Sequence, residues 1–327
     1  MITPRAISAC LLLAALALGT LSDALHERAP VILGGYRVLA ADFHVHSFPL
    51  SGSNLAPWDI VMEARRQGLD AIALTGHDNV WEGRAGRWFS SRFGGPLVLV
   101  GEEIHAPGHH VIAVGIHRTI SWRLSAAAAI DEVHAQGGIA IAAHPLAGSW
   151  PAFAAAMGKL DGTEVVQPTA LESEENTAQL RQFYERARAA AIGSSDYHGA
   201  GPLGVCRTYV FSRSATEQGI LEALRAGRTV VFDRGRIVGD PALIRLAQQD
   251  GRLAEPPTPP PGQGLLAALS RTCGLLGLSG IVFFGFRASA NGAVPQTGQH
   301  SRHSHSARSR GGRGGHAEKT VIEPPSP

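Results

Sequence analysis

Histidine is the unusual residue of this 327-residue chain, with 15 copies, and those in its middle recur just after apolar runs. The first case is Asp42-Phe43-His44-Val45-His46. Residues two apart on an extended strand face the same way, so His44 and His46 project together. Neutral imidazoles are good ligands for zinc, manganese or iron. Thr75-Gly76-His77-Asp78-Asn79 closes a second apolar run. A third run, Val98-Leu99-Val100, leads into Gly101-Glu102-Glu103-Ile104, followed shortly by Gly108-His109-His110. One carboxylate at that point could bridge two metal ions, which a dinuclear hydrolytic centre holds roughly 3.5–4 Å apart. Ala142-Ala143-His144-Pro145 and Gly193-Ser194-Ser195-Asp196-Tyr197-His198 follow two further apolar strands, and Asp196 and His198 again share a face.

Each segment alone has an ordinary explanation as a packing pair, a turn or a satisfied polar strand end. Imidazoles and carboxylates converging from successive strands of one domain would repel or stay unpaired unless a cation joined them. The set therefore predicts metal binding. His105, His117 and His134 fall outside it and read as structural. Glu102 and His109 compete with their neighbours Glu103 and His110. Only one of each pair can face the metals, because adjacent strand residues point opposite ways.

The elements that must carry these residues are legible as alternating β-rich apolar runs and amphipathic helical stretches between residues 37 and 249. Strands are predicted at 38–44, 71–75, 97–104, 110–116, 139–143, 163–166, 191–195 and 207–211, and helices at 57–67, 125–136, 174–190 and 215–226. Gly68, Gly137 and Gly227 follow three of the helices, as C-terminal capping glycines should. Such alternation over roughly 200 residues argues for a parallel α/β fold, barrel or open sheet, with its site at the carboxyl ends of the strands.

The two ends differ in kind from this body. Arg5, an apolar stretch from Ala6 to Leu21 and then Ser22-Asp23-Ala24 make a secretory signal or an uncleaved anchor helix. Pro256 to Pro261 form a stiff linker broken only by Thr258, and 265–286 is apolar except for Arg271, which predicts a single transmembrane helix; the competing reading is a buried hairpin of helices. The remainder, rich in Gly, Ser, His and Arg, is expected to be disordered. The expected division is thus 1–27 signal or anchor, 28–251 catalytic domain, 252–264 linker, 265–286 membrane helix and 287–327 basic tail. Arg5 and the arginines of the tail favour cytoplasmic ends, which puts the α/β domain outside the membrane. A net charge of +2, concentrated in the tail, implies no nucleic-acid partner. Three cysteines, Cys10, Cys206 and Cys273, give no disulfide framework and exclude a Cys-based metal site.

The order of the histidine and carboxylate segments closely resembles the PHP superfamily, named for polymerase-associated and histidinol phosphatase domains. The matching residues are Asp42, His44 and His46, then His77, Glu103, His110 and His144, then Asp196 and His198. Arg207-Thr208-Tyr209-Val210 and Ile220 to Arg228 look like the branch holding predicted phosphoesterases and a carbamate-ester hydrolase. The resemblance runs from about Leu39 to Val231 and implies a distorted (βα)7 barrel. It also implies one metal on His44, His46, Glu103 and Asp196, and a second that shares Glu103 and adds His110 and His144. A third site in the family would use His77, His198 and a further ligand. That slot falls near Ser51, which offers no obvious ligand, and Gly76 stands where the family has Asp. The resemblance thus implies two divalent ions, zinc, manganese or iron, and a third that is weak or absent, with His77 and His198 free to hold the substrate anion.

The chemistry expected is hydrolysis by a water held between two cations and acidified enough to attack near neutral pH. Asp196 would orient that water or take its proton. A small phosphate ester is the leading substrate, with Arg84, Arg87 and Arg207 as candidate cations for it. The rivals are a carboxyl- or carbamate-ester hydrolase with the same metals, and a non-catalytic metal-binding domain on a membrane anchor.

Overall fold

The structure, a computed structural model, describes residues 3–24, 30–168, 173–199, 201–250, 253 and 265–290. Eleven strands form one mixed sheet that curls into a nearly closed barrel. They are β1 (Val31–Leu33), β2 (Tyr36–Val45), β3 (Ala71–His77), β4 (Leu97–Ala106), β5 (His109–Val114), β6 (Ile139–Ala142), β7 (Gly162–Val166), β8 (Ala190–Gly193), β9 (Thr208–Ser212), β10 (Thr229–Asp233) and β11 (Arg236–Gly239). Their order is β11-β10-β9-β2-β3-β4-β5-β6-β7-β8, with β1 paired to β2. Each predicted strand is present with ends shifted by a few residues, because its apolar core is buried on both faces and sets the element. Ala71, Ile72, Ala73 and Leu74 of β3 are all fully buried, for example.

The expectation of a parallel sheet needs correction. β2-β3-β4 and β6-β7-β8 are parallel, but β5 runs antiparallel to both β4 and β6, and β9 runs antiparallel to β2. A two-residue turn at Pro107-Gly108 makes β4 and β5 a hairpin, and a hairpin can only be antiparallel. His109 and His110 therefore sit at the start of β5, beside the end of β4, rather than at the end of a strand.

The barrel closes through side chains as well as ladders. Thr208 Oγ1 on β9 donates to Gly193 O (2.8 Å) and accepts from Gly193 N (2.9 Å), stitching β9 to β8. Asp42 in β2 accepts from Ser195 N (3.1 Å) and Gly204 N (3.0 Å), and His46 N donates to Tyr197 O (3.2 Å). The buried Asp42 carboxylate thus fastens the segment after β8 to β2; burial pushes its pKa up to about 6 against the pull of those donors.

Outside the sheet lie α1 (Pro4–Ala24), α2 (Pro57–Arg66), α3 (Trp81–Phe93), α4 (Ala126–Ala135), the single turn α5 (Trp150–Phe153), α6 (Glu174–Ala187), α7 (Glu217–Arg225), α8 (Pro241–Asp250) and α9 (Leu265–Ala290). Helix α3 was not expected, since Gly83 and Gly86 interrupt its helical pattern. Both lie on the sheet face, where a β-carbon on Gly83 would come within 2.9 Å of Val100 Cα and one on Gly86 would meet Leu74. The helix gives up intrinsic propensity to approach β3 and β4 closely. α1 and α9 are the two apolar helices; by length and composition α1 could cross a membrane over Pro4–Ser22, while the apolar part of α9, Ala268–Phe283, is shorter. They pack against each other through small residues, with Ser270 Oγ donating to Ala15 O at 2.7 Å. The linker (Leu253 apart) and the tail beyond residue 290 lie outside the described residues.

Candidate metal centre

Glu103, near the end of β4, is the hub. Its Oε2 lies 3.3 Å from His44 Nε2, 3.4 Å from His46 Nε2 and 3.2 Å from His77 Nε2. Its Oε1 lies 2.9 Å from His110 Nδ1 and 3.2 Å from His144 Nε2. Asp196 Oδ1 sits opposite, 3.3 Å from His44 Nε2, 3.1 Å from His46 Nε2 and 3.4 Å from His198 Nδ1. All eight residues singled out as ligands or catalytic groups are therefore in one cluster at the carboxyl end of the barrel.

The cluster has a floor and a mouth. The side chains of His44 and His46 are 0% exposed, whereas His110, His144, His77 and His198 rise from 25% to 40%. A molecule from solvent meets His77 and His198 first. Two members hold a costly backbone: His144 has φ +28° and Asp196 φ +46°, a left-handed region that costs a non-glycine residue about 1–3 kcal/mol. His144 is kept there by its N–H, which donates to Glu164 Oε2 at 2.6 Å.

Electrostatics make the cluster a cation trap. Burial works to strip the proton from His44, yet the Asp196, Glu103 and Glu164 carboxylates hold it, and its pKa stands well above the usual 6.5. Burial pushes Glu103 up, but His44, His110 and His144 carry it well below the usual carboxylate range. Asp196 is lowered in the same way, against its burial, by His44 and His46. His46 has lost the contest, and burial lowers it to about 4. The carboxylates around His44 thus favour positive charge at that point. His44 Nε2, both ring nitrogens of His46 and His110 Nδ1 are buried without a well-formed hydrogen bond. Buried polar atoms in that state call for a partner, and imidazole nitrogens facing a shared carboxylate fit a divalent cation. Three groups of donor atoms lie within 4.8 Å of one another: His44, Glu103 and His144; His44, His46 and Asp196; and His46, His77 and His198.

The ambiguous pairs resolve as alternation on a strand requires. Glu102 points away from Glu103, and its Oε1 accepts from Ile120 N at 2.6 Å; burial raises its pKa to about 7. His109 packs its ring edge-on against Phe153, 5.9 Å between centroids. His105, read as structural, lies at the mouth instead, its ring 3.9 Å from that of His110 and 4.9 Å from that of His77. His117 and His134 stay apart, and His134 Nε2 is 2.8 Å from Asp161. The three arginines proposed for a substrate anion are engaged elsewhere. Arg84 donates to His117 O, Arg87 pairs with Glu217 at 2.7 Å, and Arg207 is buried on Gly204 O and Gln67 O. Arg87 and Glu217 instead line a cavity of about 560 Å³ with Arg37 and Asp70, at the end where the strands begin.

Two carboxylates escaped the sequence reading. Glu164 on β7 is wholly buried; its Oε1 lies 2.9 Å from His44 Nδ1 and accepts from Ser194 Oγ. It fixes which nitrogen of His44 faces the cluster. Its only signal was a lone acid inside an apolar strand, Gly162-Thr163-Glu164-Val165-Val166. Glu82, in the first turn of α3, is also fully buried and accepts from Ser47 N (2.9 Å), Ser47 Oγ (2.7 Å) and Ser51 Oγ. Ser51 is therefore committed to Glu82 and to His77 N, from which it accepts at 2.9 Å.

Comparison with known proteins agrees with this fold. A family model described as PHP-associated matches residues 175–229, from α6 to the start of β10. A two-domain protein from Bacteroides vulgatus, whose crystal structure contains a predicted PHP-like metal-dependent phosphoesterase, is 25% identical with a TM-score of 0.57. The match covers 68% of this chain and 73% of that one. The uncharacterized protein MJ1587 of Methanocaldococcus jannaschii is 29% identical over 119 residues, 33% of this chain and 68% of its own. These matches support the PHP superfamily as the group this chain resembles.

Proposed function

We propose that this protein is a metal-dependent hydrolase that cleaves a small phosphate ester, held at a membrane with its catalytic domain on the extracytoplasmic side. One observation carries the reading: the two oxygens of Glu103 are divided between two sets of imidazoles, His44, His46 and His77 on one side and His110 and His144 on the other. The Bacteroides protein, with its predicted phosphoesterase domain, supports it.

His44, His46, Glu103 and Asp196 would hold one divalent ion, and Glu103, His110 and His144 a second. Such ions supply Lewis acidity and acidify bound water. Asp196 is the group we assign to receive the proton of the attacking water, since it touches the ligands yet is 18% exposed. His77 and His198 bind the oxygens of the entering ester, and the exposed Phe48 and Leu50 of the loop after β2 offer apolar surface to the rest of it. A second reading, hydrolysis of a carboxyl or carbamate ester, is favoured by the engagement of Arg84, Arg87 and Arg207 elsewhere, which leaves no guanidinium from that set to clamp a phosphate.

The test uses the full chain in detergent. Elemental analysis after incubation with zinc, manganese or iron(II) should find at least two ions per chain, lost together in Glu103→Ala. A phosphomonoester, a phosphodiester and an aryl carbamate are then offered to one preparation. Cleavage of the carbamate alone would replace the first reading with the second, and absence of retained metal would sink both.

A further inference from the structure

We propose that Glu82 is a positioning residue of the metal centre. Its carboxylate, delivered from α3 into the space that a side chain at position 76 would fill, ties the loop after His46 to the backbone of His77 and so aims both imidazoles. The inference rests on the metal-centre reading above.

The geometry is specific. Gly76 is buried in β3, and a β-carbon there would lie 2.6 Å from Glu82 Cδ, 2.7 Å from its Oε1 and 2.8 Å from Asn79 Nδ2. Positions 76 and 82 therefore share one volume, room for a single carboxylate that can be supplied from either backbone but not from both. The acceptor oxygens of Glu82 are spent on loop 47–51. Oε2 accepts from the N–H and the hydroxyl of Ser47, the residue after His46, and Oε1 accepts from Ser51 Oγ. Ser51 Oγ in turn accepts from the N–H of His77. One buried carboxylate thus stands one residue from His46 and one hydroxyl from His77. Those two imidazoles lie 4.5 Å apart and share a donor group with His198. α3 brings its first turn this close only because Gly83 lets it lie against β4. Outer partners of this kind commonly change metal affinity by about 10–100-fold when removed.

Glutamine at 82 keeps the shape but replaces one acceptor oxygen by a donor, so either the Ser47 N–H faces another donor or the Ser51 hydroxyl must reverse from donating to accepting. The full chain, wild type and variants, is titrated separately with zinc and with manganese(II), following bound ions by elemental analysis and free manganese by its resonance spectrum. Glu82→Gln should lose about 10–100-fold in affinity at one ion, with an ion on the Glu103, His110 and His144 side retained. Gly76→Asp alone should do worse, since two carboxylates meet in one volume. Gly76→Asp combined with Glu82→Gly, which returns the carboxylate from the other backbone, should recover affinity relative to Glu82→Gly alone. Wild-type affinity at every ion in Glu82→Gln would overturn the proposal. So would a double variant that melts like the wild type yet binds no better than Glu82→Gly. A wild-type chain that binds no metal at all would instead overturn the metal-centre reading, and this proposal with it.

Discussion

Between neighbouring residues on a strand, a face decides everything. Glu102 and Glu103 have the same side chain, yet one meets five imidazoles and the other a backbone N–H in the wall. Glu164 shows how a residue remote in sequence completes a ligand: it holds His44 Nδ1 and the His144 N–H at once. Replacing it by Gln leaves the strand intact but removes the charge that orients His44. We expect Glu164→Gln to weaken metal binding by about 10–100-fold, read by titration against a chelator of known affinity. An unchanged affinity would mean that His44 is oriented by its ladder and packing alone.

At the level of elements, β4 carries the site on one face and a stability liability on the other. Glu102 is buried and its pKa is raised from 4.5 to about 7, so folding favours its protonated form. The unfolded chain releases that proton first as pH rises. Stability is therefore lost between pH 4.5 and about 7 and is level above, by up to roughly 3 kcal/mol at about 1.4 kcal/mol per unit. Glu102→Gln should flatten that part of the stability profile in denaturant titrations run from pH 5 to 8, gaining most over wild type at pH 8. A parallel pair of profiles would show that Glu102 ionises freely in the fold. The α3 glycines make a second element-scale point. Gly83→Ala places a methyl 2.9 Å from Val100 Cα, a backbone atom that cannot give way. Overpacking of that kind costs about 1–3 kcal/mol, and here it should also weaken metal binding by pushing Glu82 outward.

For the whole molecule, two couplings follow. In the metal-free protein the His44 proton is held well above 6.5, so the stability it brings is present below that value and disappears as pH rises through the higher folded pKa. A metal ion displaces that proton, and affinity should rise with pH. Calorimetry at pH 7 in two buffers of different ionisation enthalpy should report about one or more protons released per chain on loading. Proton-neutral binding would mean that His44 is already deprotonated. The second coupling is between the ends. α1 and α9 pack together through Ser270 and Ala15, a contact that needs the N-terminal helix to stay. Intact-mass measurement of the expressed protein should therefore find residues 1–24 retained. A chain beginning after residue 24 would make α1 a cleaved signal and remove this contact.

The sequence by itself determined the strands and the order in which metal-binding side chains arrive on them. Both are written in local pattern: an apolar run buried on two faces ends in polar residues, and alternation puts His44 with His46; Asp196 and His198, expected to share a strand face, instead lie past the end of β8, where Asp196 turns with φ +46°. Alternation left Glu102 and Glu103 open, and it was the resemblance to the PHP motif series that implied Glu103. The sequence did not show α3, because two glycines demanded by tight packing look like breaks in a helix. Nor did it show that β5 and β9 run antiparallel, since strand direction depends on which neighbours pair. Glu164 and Glu82 were invisible for a simpler reason. Their partners lie 120 and up to 35 residues away, and such contacts exist only after the sheet has curled and closed. The ligands are local facts of strands and of the residues just past them, while their orientation belongs to the barrel, because a buried carboxylate can hold an imidazole only where two distant backbones have been brought within hydrogen-bonding reach.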